Sequence, residues 1–337
     1  MGRRGRISFM PGPFAHDIDP IIFSIAEVHI WWYGLSFGLG FINAHLLLRR
    51  NRGSLGLTLR SVYDLTLLFA IGVLIGGRFL IVAFNEWNFY REFPRLIPSI
   101  WIGGFATHGL IVGGAAGVLL FCVLYRAPVR RILDVLAISA AVILGFGRIG
   151  NFIDGQIYGT LIDLPWGVQF PDVEGFRHPV VLYDGLKNFL LVPILLWVRS
   201  RNVPAGRVTA LFVILYAILR IPIDLLRDYP NTLWGLPNGQ TLNIIMVSIG
   251  VAALAINIYR SRSYQASRQV TPRTEDTTTA WRPYALAACC LIPLLIPSDA
   301  TRDVPEEYGG RHPGLVHSSI YPAIAEALKR TSESGRR

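Results

Sequence analysis

Arg148, Asn151, Asp154 and Gln156 fall within nine residues of one another, among the five glycines of the stretch 145–159, GFGRIGNFIDGQIYG. A guanidinium beside amides suits an anionic group, and phosphate is the one that Arg holds best in a fork. The glycines let the backbone leave helical geometry and approach a ligand closely. A spacing of three puts Arg148 and Asn151 on one helix face. The run before them, Ile132 to Leu144, is apolar apart from Asp134, Ser139 and small residues. In a water-soluble chain the stretch would read as a glycine-rich helix end. Here the run suits a bilayer, and polar groups at that depth mark a functional site by default.

Other polar constellations interrupt apolar runs. Tyr216, Arg220, Asp224 and Arg227 are spaced by four, four and three, which makes one stripe on a helix that Pro222 loosens. Asp224 can pair with either arginine, and the two cations leave positive capacity over. His108 stands in GGFATHGLIVGG, residues 103–114. It reads either as a satisfied core residue or as a base of unperturbed pKa about 6.5. Arg78 follows Gly76 and Gly77 in the middle of a span. It needs Asp64, a phosphate or a group of carbonyls as partner. Tyr33 in WWYGL, residues 31–35, is either part of an interfacial aromatic belt or a hydroxyl aimed into a polar cavity. Softer signals are Arg177, His178, Tyr183 and Asp184, and Gly239, Gln240 and Asn243. There is no HExxH pair, no Walker loop and no GxSxG elbow. Neither a metal nor a cofactor is expected.

The elements that must position these groups are membrane helices. Of 337 residues, 52% are hydrophobic and 16% charged, with mean hydropathy +0.43. Soluble domains carry about 25% charged residues. The pattern predicts an all-α polytopic membrane protein with seven spans, near 23–48, 62–84, 103–125, 132–150, 180–198, 208–226 and 240–259. A weaker eighth run at 283–297 is broken by Pro293. The expected organisation is an N-terminal segment, 1–22, a seven-span domain, 23–259, and an extension, 260–337. Within the extension, 260–282 reads as a linker and 298–337 as a polar, mobile tail.

Loops set the orientation. Arg49, Arg50, Arg52 and Arg60 fall in one loop, Arg126, Arg130 and Arg131 in another, and Arg199, Arg201 and Arg207 in a third. Arg260, Arg262, Arg268 and Arg273 follow the seventh span. These alternate with poorer loops, so the arginine-rich ends are expected in the cytoplasm, the N-terminus outside and the segment after 259 inside. Arg3, Arg4 and Arg6 argue the other way at one end only. Any chemistry then lies near the outer leaflet. The net charge of +10 reads as loops facing anionic lipid rather than as nucleic-acid binding. Three cysteines, Cys122, Cys289 and Cys290, make no disulfide framework. An arginine-rich cavity with a His and several Tyr suits a phospholipid headgroup. It would equally suit an anion transporter, although no inverted repeat with paired broken helices is visible.

These residues also resemble a family, the prolipoprotein diacylglyceryl transferases. GRIGNFIDGQIYG, 147–159, follows the family signature G-R-x-G-N-F-x-N-x-E-x-x-G. WWYGL, IGGR at 75–78, the His108–Gly109 pair, RHPVVLYDG at 177–185 and YAILRIPIDLLRDYP at 216–230 follow in order, over about residues 30–259. The resemblance implies a bacterial inner-membrane enzyme. It would move the diacylglyceryl unit of phosphatidylglycerol to the lipobox cysteine of a prolipoprotein, form a thioether and release glycerol phosphate. It implies that Arg148 and Arg220 hold the phosphate and that His108 activates the thiol. It also implies that Tyr33, Asn151, Gly159, Tyr216 and Asp224 are site positions. Arg78 and Arg227 join the candidate binding set with Asp154 and Gln156.

The chain departs from that pattern. The signature Asn is Asp154 and the signature Glu is Gln156, Asp224 is one methylene shorter than the usual Glu, and the Ser that opens the last span is Asn243. If the Glu works as acid or base, Gln156 cannot replace it. A non-catalytic relative that binds lipid or precursor is therefore a second expectation, and an anion or lipid transporter a third.

Overall fold

The computed structural model describes residues 14–171, 173–227, 232–233, 236–262, 280–298 and 303–324. The first arginines, the greater part of the expected linker and the last thirteen residues lie outside them. Two strands precede the helices after β1 (Phe14–Ala15): β2 (Ile21–Ile25) and β3 (Val28–Trp31), an antiparallel hairpin. The first span thus starts later than residue 23. Ile21, Ile22, Ile25, Val28 and Ile30 are β-branched, which stiffens χ1 and favours extended backbone. Ala26 makes the turn at φ 52°. The helix α1 (Trp32–Leu55) then runs 24 residues. It ends where Gly56 takes φ 66° and returns its N–H to the Arg52 and Gly53 carbonyls.

Six further long helices follow: α2 (Leu59–Leu80), α4 (Thr107–Tyr125), α5 (Val129–Ile153), α6 (Val180–Ser200), α7 (Arg207–Leu225) and α8 (Asn238–Arg262). The short α3 (Trp87–Glu92) interrupts the loop after α2. These six are long and apolar enough to cross a membrane, and α1 matches them in length while packing along α5 and α2. Arg49, Arg50 and Arg52 make its last turns more polar than theirs. The protein is a multi-pass membrane protein. The tight arginine-bearing connections gather at one end of the bundle, the arginine end. The long connections and strands gather at the other, the loop end. There β4 (Val168–Gln169) pairs in parallel with β1.

Small residues decide how closely the helices approach. A Cβ on Gly113 of α4 would fall on the Gly72 carbonyl oxygen of α2, and one on Gly109 would fall on that of Gly76. A Cβ on Gly117 would meet the Leu68 carbonyl. Glycines every four residues let two backbones touch, which is how helices associate where lipid removes the hydrophobic drive between them. At the arginine end Asp134 of α5 caps α7. Its carboxylate accepts from the Gly206 N–H at 2.7 Å, the Thr209 N–H at 2.9 Å and the Thr209 hydroxyl at 2.7 Å. That places an anion at a helix N-terminus, where the dipole favours it.

The C-terminal region is packed rather than mobile where it is described. α9 (Trp281–Leu291) and a 3₁₀ turn, Ile292–Leu295, lie along α1 and α2. Beyond them, α10 (Val304–Tyr308) and the residues up to 324 settle at the loop end. Tyr308, Tyr321 and Leu315 are buried there with Trp31, Ile21 and Ile102. A polar composition therefore hid a few aromatic anchors with enough apolar area to order the chain.

Replacing Gly113 by Ala is expected to cost about 1–3 kcal/mol, because the contact atoms are backbone and cannot swing away. The check is the unfolding temperature in detergent. Gly53→Ala, where a Cβ meets nothing within 4 Å, should be neutral or slightly stabilising.

Candidate active site

At the loop end three helices bring charge to one point. Arg148 lies on the last turns of α5, Asp184 on the second turn of α6 and Arg220 on the second half of α7. Arg148 Nε donates to Asp184 Oδ2 at 2.6 Å, and Arg220 Nη1 reaches the same oxygen at 3.2 Å. Lys187 Nζ holds the other oxygen, Oδ1, at 2.7 Å. All four groups are nearly excluded from the surface. Gly185 makes room for this, since a Cβ there would stand 3.2 Å from the Arg148 Cβ. A carboxylate buried among three cations is held by their attraction, which grows as the surroundings become less polarisable.

Further hydrogen bonds orient the cations. Asn151 Oδ1 accepts from Arg148 Nη1 at 3.0 Å, as the spacing of three requires. Tyr216 OH accepts from Arg220 Nη1 at 2.9 Å, and the Tyr216 ring lies 3.8 Å below Lys187 Nζ. Arg220 Nε also donates to Asp224 Oδ2 at 3.3 Å, while Asn243 on α8 donates to that oxygen at 2.7 Å. Three members of the expected stripe, Tyr216, Arg220 and Asp224, are thus connected on α7, and Arg227 lies past the end of that helix. The position that opens the last span serves the stripe. Arg148, Asp184, Arg220, Asp224 and Arg227 line one cleft with Ile157, Val180, Val181 and Ile223. With Lys187, cations outnumber carboxylates there. His108 stands on the first turn of α4 with its side chain exposed. Gly159 closes the cleft from outside. Its backbone pairs with Arg227, and a Cβ on it would meet the Leu226 carbonyl oxygen at 2.6 Å.

Other expected site residues lie elsewhere. Arg78 spends its guanidinium on carbonyls. Nε donates to Ile97 O at 2.8 Å, Nη2 to Leu96 O at 2.8 Å and Ser99 O at 3.1 Å, and Nη1 to Gly103 O and Gly104 O. Of its three possible partners it takes the carbonyls, and it shapes the 96–104 loop. Asp64 instead pairs with Arg282 at 2.7 Å. Tyr33 packs on α5 at Gly150, where a Cβ would stand 2.8 Å from the Tyr33 Cα.

Asp154 and Gln156 turn to the C-terminal region. Asp154 Oδ2 accepts from the Ser298 N–H at 2.8 Å, and Gln156 Nε2 donates to Glu307 Oε1 at 2.6 Å. Burial pushes the Asp154 carboxyl up to about 7, against the opposing pull of the Ser298 N–H and Arg311. Lys187 escaped the sequence reading, and Asp184 was only a soft signal. Their spacing of three inside an apolar helix was the available clue.

Comparison with known proteins agrees with this picture. The family model described as prolipoprotein diacylglyceryl transferase matches residues 20–256. A phosphatidylglycerol–prolipoprotein diacylglyceryl transferase of Geobacter sulfurreducens is 37% identical over 263 residues, covering 74% of this chain and 98% of the relative. Proteins with the same name from Mannheimia succiniciproducens and Methylobacillus flagellatus are 35% and 36% identical, covering 73% and 72% of this chain and 95% and 98% of the relatives.

Removing the shared counter-ion should be costly. Asp184→Asn leaves three cations facing one another and is expected to destabilise by about 3–5 kcal/mol, read as a lower unfolding temperature in detergent. Asp154 has the opposite signature. Its folded pKa lies above its unfolded value of 3.8, so its contribution is complete in acid and is lost as pH rises through about 7. Asp154→Asn keeps an acceptor for Ser298 without the charge. Its stability relative to the parent should therefore increase from pH 5 to pH 8, and a constant difference would contradict the assignment.

Proposed function

The chain belongs to the prolipoprotein diacylglyceryl transferase family, and we propose that it transfers the diacylglyceryl unit of phosphatidylglycerol to the lipobox cysteine of a prolipoprotein, as the first step of lipoprotein maturation. The observation that carries this reading is the Arg148–Asp184–Arg220 cluster. It holds more cations than carboxylates and sits at the end of the bundle away from the arginine-rich connections. By the positive-inside rule that end faces out of the cytoplasm. In a bacterium the protein then lies in the inner membrane with its site at the outer leaflet, where lipid and precursor meet.

The chemistry follows from charge. The thiol sulfur attacks the diacylglyceryl carbon that carries the phosphate ester. A C–S bond forms, the C–O bond to phosphorus breaks, and glycerol phosphate leaves with the bonding pair. A free thiol of pKa about 8.5 is mostly protonated near neutrality, so it must give up its proton. The resemblance to the family supports His108 as the base that takes it. Arg148 and Arg220 hold the phosphate and stabilise the charge that grows on the departing oxygen. Asp184 keeps both guanidiniums in place without neutralising them all, and Asn151, Tyr216 and Asn243 fix their angles. The working unit is residues 23–259, with its helical part beginning at Trp32.

The test uses purified protein in detergent with phosphatidylglycerol and a lipobox peptide. A peptide heavier by one diacylglyceryl unit is the expected product. Arg148→Ala, Arg220→Ala and His108→Ala should each lower the rate by about a hundredfold or more. Full transfer by the arginine variants would overturn the assignment of roles. Lipid flux into liposomes with no adduct would move the protein to the transporters.

A further inference from the structure

The family match ends at residue 256, yet the chain continues into the site's surroundings. Arg282, at the start of α9, pairs with Asp64 on the second turn of α2, and Tyr125, the last residue of α4, donates to the same carboxylate at 2.6 Å. That is the arginine end of the bundle. Sixteen residues later, the Ser298 N–H meets Asp154 just past the end of α5, at the loop end. Eleven helical residues rise about 16 Å, a four-residue 3₁₀ turn about 8 Å and three extended residues about 10 Å, together close to the roughly 30 Å of a bilayer core. The path is fitted to α1. A Cβ on Gly34 would fall on the Pro293 carbonyl oxygen, and one on Gly38 would stand 2.7 Å from that of Cys290. Pro293 lies in the 3₁₀ turn that ends the helix.

What the segment delivers is a cap for α5. The last carbonyls of a helix have no N–H partner of their own, and a cation there also meets the negative end of the dipole. Arg311 supplies both. Nη2 donates to Asp154 O at 2.7 Å and Nη1 to Ile153 O at 3.4 Å and Ile18 O at 3.3 Å, with the guanidinium 5.5 Å from the Tyr308 ring centre. Tyr308 is fully buried against Trp31 and donates to Ser298 O at 3.0 Å. Glu307 accepts from Gln156 one turn away. Asn151 stands in the turn so capped, and Arg148, to which it is hydrogen-bonded, stands one turn before it. The two positions at which the chain departs from the family signature, Asp154 and Gln156, are the two that this segment engages.

We propose that residues 281–298 cross the membrane as an eighth span, and that Arg311 and Glu307 are positioning residues that hold the end of α5, and through it Arg148, in its working geometry. The second half rests on the transfer reading above. The first half does not. The carboxylate absent from position 156 is presented there from position 307, so Gln156 is a fitted partner and not a lesion. The tail, residues 303–324, then lies on the same side of the membrane as the 159–179 loop.

Two measurements on the full-length protein test this separately. Single cysteines are placed at Gly310, which is exposed on the tail, at Leu161, which is exposed at the loop end, and at Gly53, which is exposed at the arginine end. An impermeant maleimide on sealed cells should label Gly310→Cys with Leu161→Cys. Labelling of Gly310→Cys only together with Gly53→Cys would overturn the crossing, whatever the enzyme does.

The second measurement is the transfer assay. Arg311→Ala should lower kcat about ten- to a hundredfold with little change in the KM for phosphatidylglycerol, since the lipid still binds but Arg148 is misplaced. Arg311→Lys should recover part of that loss. Gln156→Glu sets two carboxylates against each other and should lower kcat several-fold. Adding Glu307→Gln restores a donor–acceptor pair and should bring it back. If Arg148→Ala abolishes transfer while every variant at 311, 307 and 156 matches the parent, the positioning role is wrong and the functional reading stands. If the parent itself transfers nothing, the functional reading is wrong and the labelling still decides the crossing.

Discussion

The Asp184 carboxylate is the interaction on which the site depends. It lies between Arg148 on α5, Arg220 on α7 and Lys187 on its own helix. Three cations at that depth would repel one another and lose their hydration, and no arrangement of amides could offset both. One shared anion solves the problem and ties α5, α6 and α7 at the loop end of the bundle. It also leaves positive charge over, which an anionic ligand can use. Stability and the surplus positive charge therefore come from the same atoms.

Two buried charges away from the cleft are satisfied mainly by backbone groups instead. Arg78 satisfies five backbone carbonyls of the 96–104 loop. Asp134 satisfies three donors at the start of α7. Neither lines the cleft, but Asp134 fixes the start of α7, which does, and Arg78 fixes the loop that leads into α4. Between them the Gly72, Gly76, Gly109 and Gly113 contacts let α2 and α4 pack backbone to backbone. That contact sets where His108, on the first turn of α4, stands relative to Arg148. The C-terminal segment extends the principle by bringing Arg311 to carbonyls at the end of α5 that would otherwise face water or lipid.

Much of this was legible in the residues. Arg148 and Asn151, three apart, do share a bond, and Tyr216, Arg220 and Asp224 do form one connected stripe. Local spacing sufficed because a helix converts an interval of three or four into contact. The partner of Arg78 stayed open between Asp64, a phosphate and carbonyls, because an arginine among glycines in a span looks the same whether it serves a phosphate or a loop. Lys187 pairs with Asp184 three residues away, a local clue, but its place over the Tyr216 ring depends on α7, which is distant in sequence. The hairpin at 21–31 was merged into the first span because hydropathy cannot separate apolar strand from apolar helix.

By itself the sequence determined the class of the protein, its helices, the ends that carry arginine and the family to which it belongs. These are properties of short windows, in which hydrophobicity, charge and helical period act over a few residues. Tertiary structure alone decided that Asp184 is the hub, that Arg78 stands apart from the site, and that Asp154 and Gln156 look toward residues 298 and 307. Those facts join groups separated by between 18 and 151 positions. The physical reason is that a buried charge is satisfied by whatever packing brings beside it, and no local pattern records which residue that will be.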